Sequence, residues 1–281
     1  MEYIYNIIMH TVTVIIPTKT HIPNFSAQGK VNYMIVTNGA DKKTIQEINF
    51  RFGNNPDIEI IHLGDIGVAR ARNYGIKNAK TKYIYFLDAD DEFIGEDTVL
   101  KLAECAEEKN VYIAGGSMIE IRPDGTEFSD WTDENKGFVF DHEGYVKYID
   151  YQFDYGFYRF IYNRQFLIDN KIYFPNLTRF QDPPFFVKAL YAAQTFYAVP
   201  NVTYRYCVND IVWTKKKAKD CLKGILLNIK FAKRIKHINL LKISIIRLYR
   251  DFYMKIKKFT HNLCIFILFC NIKLFILKNK K

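Results

Sequence analysis

Short β-branched and aromatic runs alternate with helical stretches through the first 120 residues, and this alternation constrains the fold most. The runs 12–16, 33–36, 58–62, 83–87 and 111–114 are each closed by a polar, Gly or Pro turn, the first by Pro17 and the second by Thr37-Asn38-Gly39. Helical patterns fill 68–79 and 100–109. The expectation is an α/β fold with a mostly parallel sheet flanked by helices on both faces, its ligands gathered at the carboxyl ends of the strands.

The run 83–87 leads straight into Asp88-Ala89-Asp90-Asp91. Carboxylates two apart at a strand end suit a hard cation, Mg²⁺ or Mn²⁺, with positions left for diphosphate oxygens. The competing reading is a solvated acidic turn capping the next helix. An EF-hand is excluded, because its required Gly and Glu positions hold Phe93 and Val99.

Upstream, Gly67 precedes a helix carrying Arg70, Arg72 and Asn73. Helix amides with guanidinium groups suit phosphate oxygens, although an ordinary helix with two exposed arginines has the same pattern. Downstream, Gln181-Asp182-Pro183-Pro184 opens an apolar helix ending near residue 193. Proline at the first helical positions puts Asp182 at the N-cap; the same carboxylate could serve as a general base on a hydroxyl.

Arg122-Pro123-Asp124-Gly125 reads as a hairpin turn, and the stretch 138–160 is dense in aromatics without clear periodicity. Tyr155, Phe157, Tyr158 and Trp213 are candidates for stacking on sugars, with core packing as the alternative.

In this order and spacing the segments resemble the inverting family 2 glycosyltransferases of the GT-A fold, over about residues 12–213. The run Val12-Thr13-Val14-Ile15-Ile16-Pro17-Thr18 is similar to that family's opening strand, Ala71-Arg72-Asn73 with Gly75 to its A-R-N-x-G helix, and Asp88-Ala89-Asp90-Asp91 to its D-x-D-D. Gln181-Asp182 is similar to its E-D or Q-D pair.

The resemblance implies a nucleotide-diphosphate sugar donor contacted by Pro17, Thr18, Asn38, Arg72, Asp88 and Ala89. It implies Mn²⁺ or Mg²⁺ on Asp90 with Asp88, and Asp182 as catalytic base; Gln181 beside that base and the aromatic Tyr158 and Trp213 are the candidate acceptor contacts. Three departures stand out. The 17–38 span is about ten residues short, so the first helix is expected to be stunted. The second strand ends in Asn38 where relatives often carry an acid for the base. Cys207-Val208-Asn209-Asp210 stands where many carry a metal-binding histidine.

Charge divides the chain. From Lys215 to Lys281 there are 19 Lys/Arg against Asp220 and Asp251, a net +17, and the remainder is 21 minus 28, or −7. A basic tail seeks an anionic partner, and lysines interleaved with Leu222, Ile225, Leu226 and Ile229 favour a membrane interface over nucleic acid. The run 263–277 is interrupted by Asn271 and Lys273 and falls short of the roughly 18 apolar residues of a spanning helix.

The expected organisation is a catalytic domain over 1–214, with a donor half at about 11–120 and an acceptor half at about 121–214, followed by a basic helical tail at 215–281. Five cysteines without a C-x-x-C pair read as thiols in a reducing compartment, and Met1 to His10 lacks a basic n-region. These features lead to the expectation of a cytoplasmic enzyme, peripheral on the inner membrane, elongating a glycan or lipid-linked glycan of capsule or lipopolysaccharide. The alternative is a non-catalytic membrane-peripheral assembly subunit that keeps the fold.

Overall fold

The computed structural model describes residues 10–129, 137–210 and 212–249. One sheet runs in the order β3 (Ile58–Leu63), β2 (Asn32–Asn38), β1 (Val12–Thr18), β4 (Tyr83–Phe86), β8 (Phe160–Asn163), β5 (Ile113–Ile121), β9 (Thr195–Cys207), β7 (Gly144–Lys147), with β6 (Glu127–Phe128) paired to β5. β1 to β4 are mutually parallel, as the alternating pattern requires. The run 12–18 is buried at every position, which is why it reads as a continuous apolar strand and sits inside the sheet.

β8 enters antiparallel between β4 and β5, while β9 pairs parallel to β5, so the sheet is mixed beyond β4. Helices α1 (Lys42–Phe52), α2 (Val68–Asn78) and α3 (Glu96–Glu108) connect the early strands. The turn at 122–125 joins β5 to β6 as an antiparallel hairpin.

The short 17–38 span, expected to leave the first helix stunted, forms no helix at all. Residues 19–31 run as irregular chain between β1 and β2. The buried carboxylate of Glu96 holds it, accepting from the backbone N–H of Gln28 (2.7 Å) and Lys30 (2.9 Å) and from the Tyr33 hydroxyl (2.7 Å). Phe25 stacks on Tyr33 and Phe52, with centroids at 4.4 and 5.0 Å, and seals this connection without helical structure.

Several rings of the aromatic stretch before β8 are core, while Tyr145 and Ile149 stay exposed. Phe138, Phe153, Phe157, Tyr158 and Phe160 are buried around Arg159, which is itself fully buried. Its guanidinium donates to the carbonyls of Gly116, Gly137 and Phe138 and to the Tyr151 hydroxyl, between the rings of Phe140 and Phe160. A buried cation with this many acceptors organises an irregular chain that no periodicity could reveal.

Beyond β8 come α5 (Arg164–Asp169), α6 (Asp182–Ala193), β9, α7 (Lys215–Ile235) and α8 (Ile238–Arg247), and a short α4 (Tyr148–Tyr151) follows β7. The expectation of a separate tail starting at Lys215 is corrected over its described part. α7 turns its apolar face, with Ala218, Cys221, Ile225 and Ile229, onto Phe180. Arg247 of α8 pairs at 2.5 Å with Asp154, which is fully buried and also takes a hydrogen bond from Asn228. The periodicity that suggested a membrane-facing helix here serves packing against the domain. Residues 250–281, including the 263–277 run, Cys264 and Cys270, lie outside the described residues.

Candidate active site

The carboxylates sit where β4 ends. Leu87 N–H bonds to the Ile15 carbonyl (3.0 Å), and the chain then turns, with Asp91 N–H on the Asp88 carbonyl at 3.0 Å. Each acid in the turn has a different environment. Asp88 is half-buried and accepts from Arg72 Nη2 at 2.5 Å. Asp90 is exposed and meets Asn209, whose Nδ2 donates to Oδ2 at 3.1 Å.

Asp91 is buried. Its Oδ2 accepts from the Tyr204 hydroxyl at 2.5 Å and its Oδ1 from Cys207 N–H at 2.7 Å, while Asp88 N–H donates to the same Tyr204 oxygen at 3.1 Å. Burial, reinforced by the charge of Asp88, pushes the Asp91 carboxyl well above the usual aspartate range. Asp91 therefore fastens the turn to the end of β9. Earlier in that pairing the strands kink: the β5–β9 register shifts on either side of Ser117. At the kink a Cβ on Gly116 would lie 2.4 Å from the Asn201 carbonyl.

The Ala71-Arg72-Asn73-x-Gly75 segment of α2 resolves position by position. Ala71 is buried among Met34 and Val36. Asn73 exchanges two hydrogen bonds with the Phe174 backbone, at 2.8 and 2.9 Å. A Cβ on Gly75 would stand 2.5 Å from Ile15 Cγ2, so only glycine lets α2 lie this close to β1.

Arg72 is 3% exposed, against the exposed arginine of the competing reading, and its guanidinium lies over Phe157 (4.8 Å) and Phe174 (5.3 Å). Its Nε and Nη1 have no hydrogen-bond partner among the described residues. Arg72 is thus built in to hold Asp88, with donors to spare. Arg70, by contrast, is exposed.

Asp182 does not cap α6. Gln181 occupies the N-cap in helical geometry (φ −82°, ψ −28°) without a side-chain capping bond, and Asp182 is the first helical residue, beside Pro183 and Pro184. The N-cap expectation misplaced the helix start by one residue, because Gln181 already has helical dihedrals. Burial pushes the Asp182 carboxyl above its ordinary range; Arg72 and Arg179 oppose this and Asp88 adds to it. These shared fields place Asp182, Asp88, Arg72 and Arg179 in one electrostatic neighbourhood. Gln181 is buried and its Oε1 has no partner among the described residues.

The remaining candidates are distributed as follows. Pro17 and Thr18 close β1 beside Asn38, whose Nδ2 donates to the Thr18 carbonyl at 2.9 Å. Asp41 is a helix cap, accepting from Thr44 N–H at 2.7 Å. Ala89 is half-buried between the two acids. Tyr158 is corrected from an acceptor contact to a supporting one: it stacks on Tyr204 (4.1 Å) and Tyr206 (5.7 Å), so its ring is committed to the protein. Trp213 is half-buried against the Phe180–α7 cluster. Sequence reasoning assigned no role to Tyr204 or Asp91 and discounted the 207–210 loop, from which Asn209 reaches Asp90.

For a cation the turn offers only oxygen donors. Among the described residues no three His, Cys, Asp or Glu side chains converge into a closed cage. Magnesium-like ions are held by one or two carboxylates with substrate phosphates completing the shell, so Asp90 and Asp88 fit such an ion when a diphosphate accompanies it.

The family model described as glycosyl transferase family 2 matches residues 26–169, just over half of the 281. The chain belongs to that family. The match contains α2 and the carboxylate turn and ends before Asp182. Chondroitin synthase and hyaluronan synthase of Pasteurella multocida are each 32% identical over 92 residues, 33% of this chain and 10% of theirs. The uncharacterized glycosyltransferase YibD of Escherichia coli is 34% identical over 59 residues, 21% of this chain and 17% of its own.

The chain therefore spans a small fraction of these relatives. The fold is shared more widely. TarS of S. aureus, residues 1–349 in complex with UDP-GlcNAc, superposes with a TM-score of 0.69 at 17% identity, over 90% of this chain and 76% of that one. Its UDP complex gives 0.67 at 18%. The chain thus has the GT-A fold that these structures share.

Proposed function

We propose that this chain transfers a sugar from a nucleotide-diphosphate donor to an acceptor hydroxyl with inversion at the anomeric carbon. The observation that carries the reading is the convergence of Asp182, its carboxyl raised by burial, with the Arg72–Asp88 pair at the end of β4. Asp182 takes the proton of the hydroxyl as its oxygen bonds to the anomeric carbon. The bond from that carbon to the diphosphate breaks, and the nucleotide diphosphate leaves with the bonding electrons.

Asp90 and Asp88 would hold Mn²⁺ or Mg²⁺, which when bound offsets the charge of the departing diphosphate. Arg72 keeps Asp88 turned to the site and offers Nε and Nη1. Pro17, Thr18 and Asn38 border the nucleotide, and Gln181 and Trp213 border the acceptor. The UDP complexes of the structural neighbour support a nucleotide-sugar donor. The names of the curated relatives support polysaccharide synthesis, here surface polysaccharide of capsule or lipopolysaccharide type, made at the cytoplasmic membrane face on a glycan or lipid-linked glycan. Among the described residues no helix is long and apolar enough to cross a membrane.

Isothermal titration with a panel of nucleotide diphosphates, with and without Mn²⁺, tests the donor side. Metal-dependent binding of one nucleotide, lost in Asp90→Ala, is the expected result; no binding of any supports a non-catalytic subunit instead. Asp182→Asn should abolish transfer and leave nucleotide affinity within about twofold, since a general base is worth about 10²–10⁴ in rate.

A further inference from the structure

Beside the first two turns of α6, where Pro184, Val187 and Lys188 lie, α6 and α7 meet along a crevice of about 220 Å³. Its walls include the side chains of Val187, Leu227 and Phe231, and three cations stand among them: Lys188 from α6, Lys230 and Arg234 from α7. No acid lines it. Lys230 and Arg234 are four residues apart on one helix, where like charges repel. Lys188 lies close enough for the charge of Arg234, added to partial burial, to hold its ammonium below the ordinary lysine range. Asn228 also lines the crevice; its Nδ2 is spent on Asp154 at 2.9 Å, and its buried Oδ1 has no partner among the described residues.

Leu226 and Leu227, 38% and 42% exposed, lie on the same helix. An apolar slot whose cations have no acidic partner among the described residues, with adjacent exposed leucines, is complementary to an anionic headgroup with the start of its acyl chain.

We propose that this crevice is a docking site for an anionic phospholipid, seating the enzyme on a membrane through the outer side of the α6–α7 pair. The apolar face of α7, already spent on the domain, is not the docking element. The inference rests on the membrane-surface reading of the function, and it goes further by assigning a site. Because α6 starts at Asp182, a lipid seated here contacts the helix that carries the proposed base.

The test is vesicle flotation of the full chain on phosphatidylcholine alone and on phosphatidylcholine mixed with phosphatidylglycerol. The variants are Lys188→Gln/Lys230→Gln/Arg234→Gln and the charge-matched control Lys42→Gln/Lys43→Gln/Lys80→Gln. A basic residue near an anionic surface is worth about fivefold in partition, so the crevice triple should lose on the order of 100-fold on the mixed vesicles while the control keeps most of its binding. Equal loss in both triples would overturn the site in favour of net charge, and undiminished binding of the crevice triple would overturn it outright.

Leu227→Asp, at a half-exposed position where folding is not at risk, should also weaken flotation. Competition by inorganic phosphate as strong as by the lipid would make this a free-anion site and sink the phospholipid assignment. Transfer to a soluble acceptor is measured in parallel. Activity without vesicle binding removes this inference and leaves the transferase reading; vesicle binding without activity does the reverse.

Discussion

Gly224→Ala puts a methyl group where α7 passes the loop leading to Asp182. An added Cβ would lie 2.4 Å from the Phe180 carbonyl oxygen, 2.8 Å from its Cδ1 and 3.0 Å from its Cβ. Phe180 has little freedom to retreat: it is a non-glycine residue at φ +62°, with its ring buried against Ala218, Cys221 and Ile225. In an unencumbered helix Ala is favoured over Gly by about 1 kcal/mol. Overpacking against backbone costs about 2–3 kcal/mol. The net expectation is a loss of about 1–2 kcal/mol, a fall in Tm of about 2–4 °C for a chain of this size. Since Phe180 lies two residues before Asp182, displacing it by about 1 Å should lower kcat by up to about 10²-fold, while the donor KM changes little. Calorimetry together with a nucleotide-release assay reads both effects. A raised Tm with unchanged kcat would refute the argument, leaving Gly224 an ordinary helical glycine with no hold on the loop.

Three other outcomes follow from the site. Asp182 accepts a proton only when ionised and its carboxyl is raised, so kcat should fall with unit slope as pH drops, from a midpoint above the ordinary aspartate value of about 3.9; a rate flat down to about pH 4 would remove it as the base. Arg72→Met strips the partner from Asp88, whose side chain keeps 24% exposure, so the cost should be about 2–3 kcal/mol, below that of a fully buried pair, and Mn²⁺-dependent nucleotide affinity should weaken with it. Unchanged melting and titration would show the pair to be incidental. The raised carboxyl of Asp91 binds protons more tightly in the folded state than in the unfolded, so its contribution makes stability fall as pH rises from the unfolded toward the folded value; Asp91→Asn should flatten that part of the stability–pH curve, read by denaturant titration.

The parallel half of the fold was legible because burial on both faces leaves an uninterrupted apolar run, as at 12–18, and a carboxylate turn where the run at 83–86 stops. The order β4-β8-β5 was not, since an antiparallel insertion depends on contacts remote in sequence, such as Ile84 with Tyr162 and Ala114 with Ile161. The same distinction runs through the site. Asp88, Asp90 and Asp182 stand out as acids in marked local settings. Tyr204, which takes a bond from Asp88 N–H and gives one to Asp91, sits in an ordinary-looking strand far away in sequence. Asn209 carries no charge to draw notice in the loop that brings it to Asp90. The apolar period of α7 left its partner open for a related reason: a 3.6-residue period reports that one face is covered without saying what covers it.

The covering of α7 changes what the C-terminal helices mean for catalysis. The chain leading into Asp182 is tied to α7 at two points: Phe180 packs against it, and the Asp220 carboxylate of α7 accepts from both the backbone N–H and the hydroxyl of Thr178, at 3.0 and 2.9 Å. Asp182 thus follows directly on two attachments to a helix outside the family match, while Arg72 and Asp88 belong to the matched domain. One further tie, Arg247 on Asp154, docks α8 to the same neighbourhood, where Asp154 also feels the charge of Asp182. The proposed donor side of the site therefore rests on the early parallel strands, and the chain leading to the proposed base rests on the basic helices. A device that seats those helices on a surface would act on the position of the base before it acted on the donor.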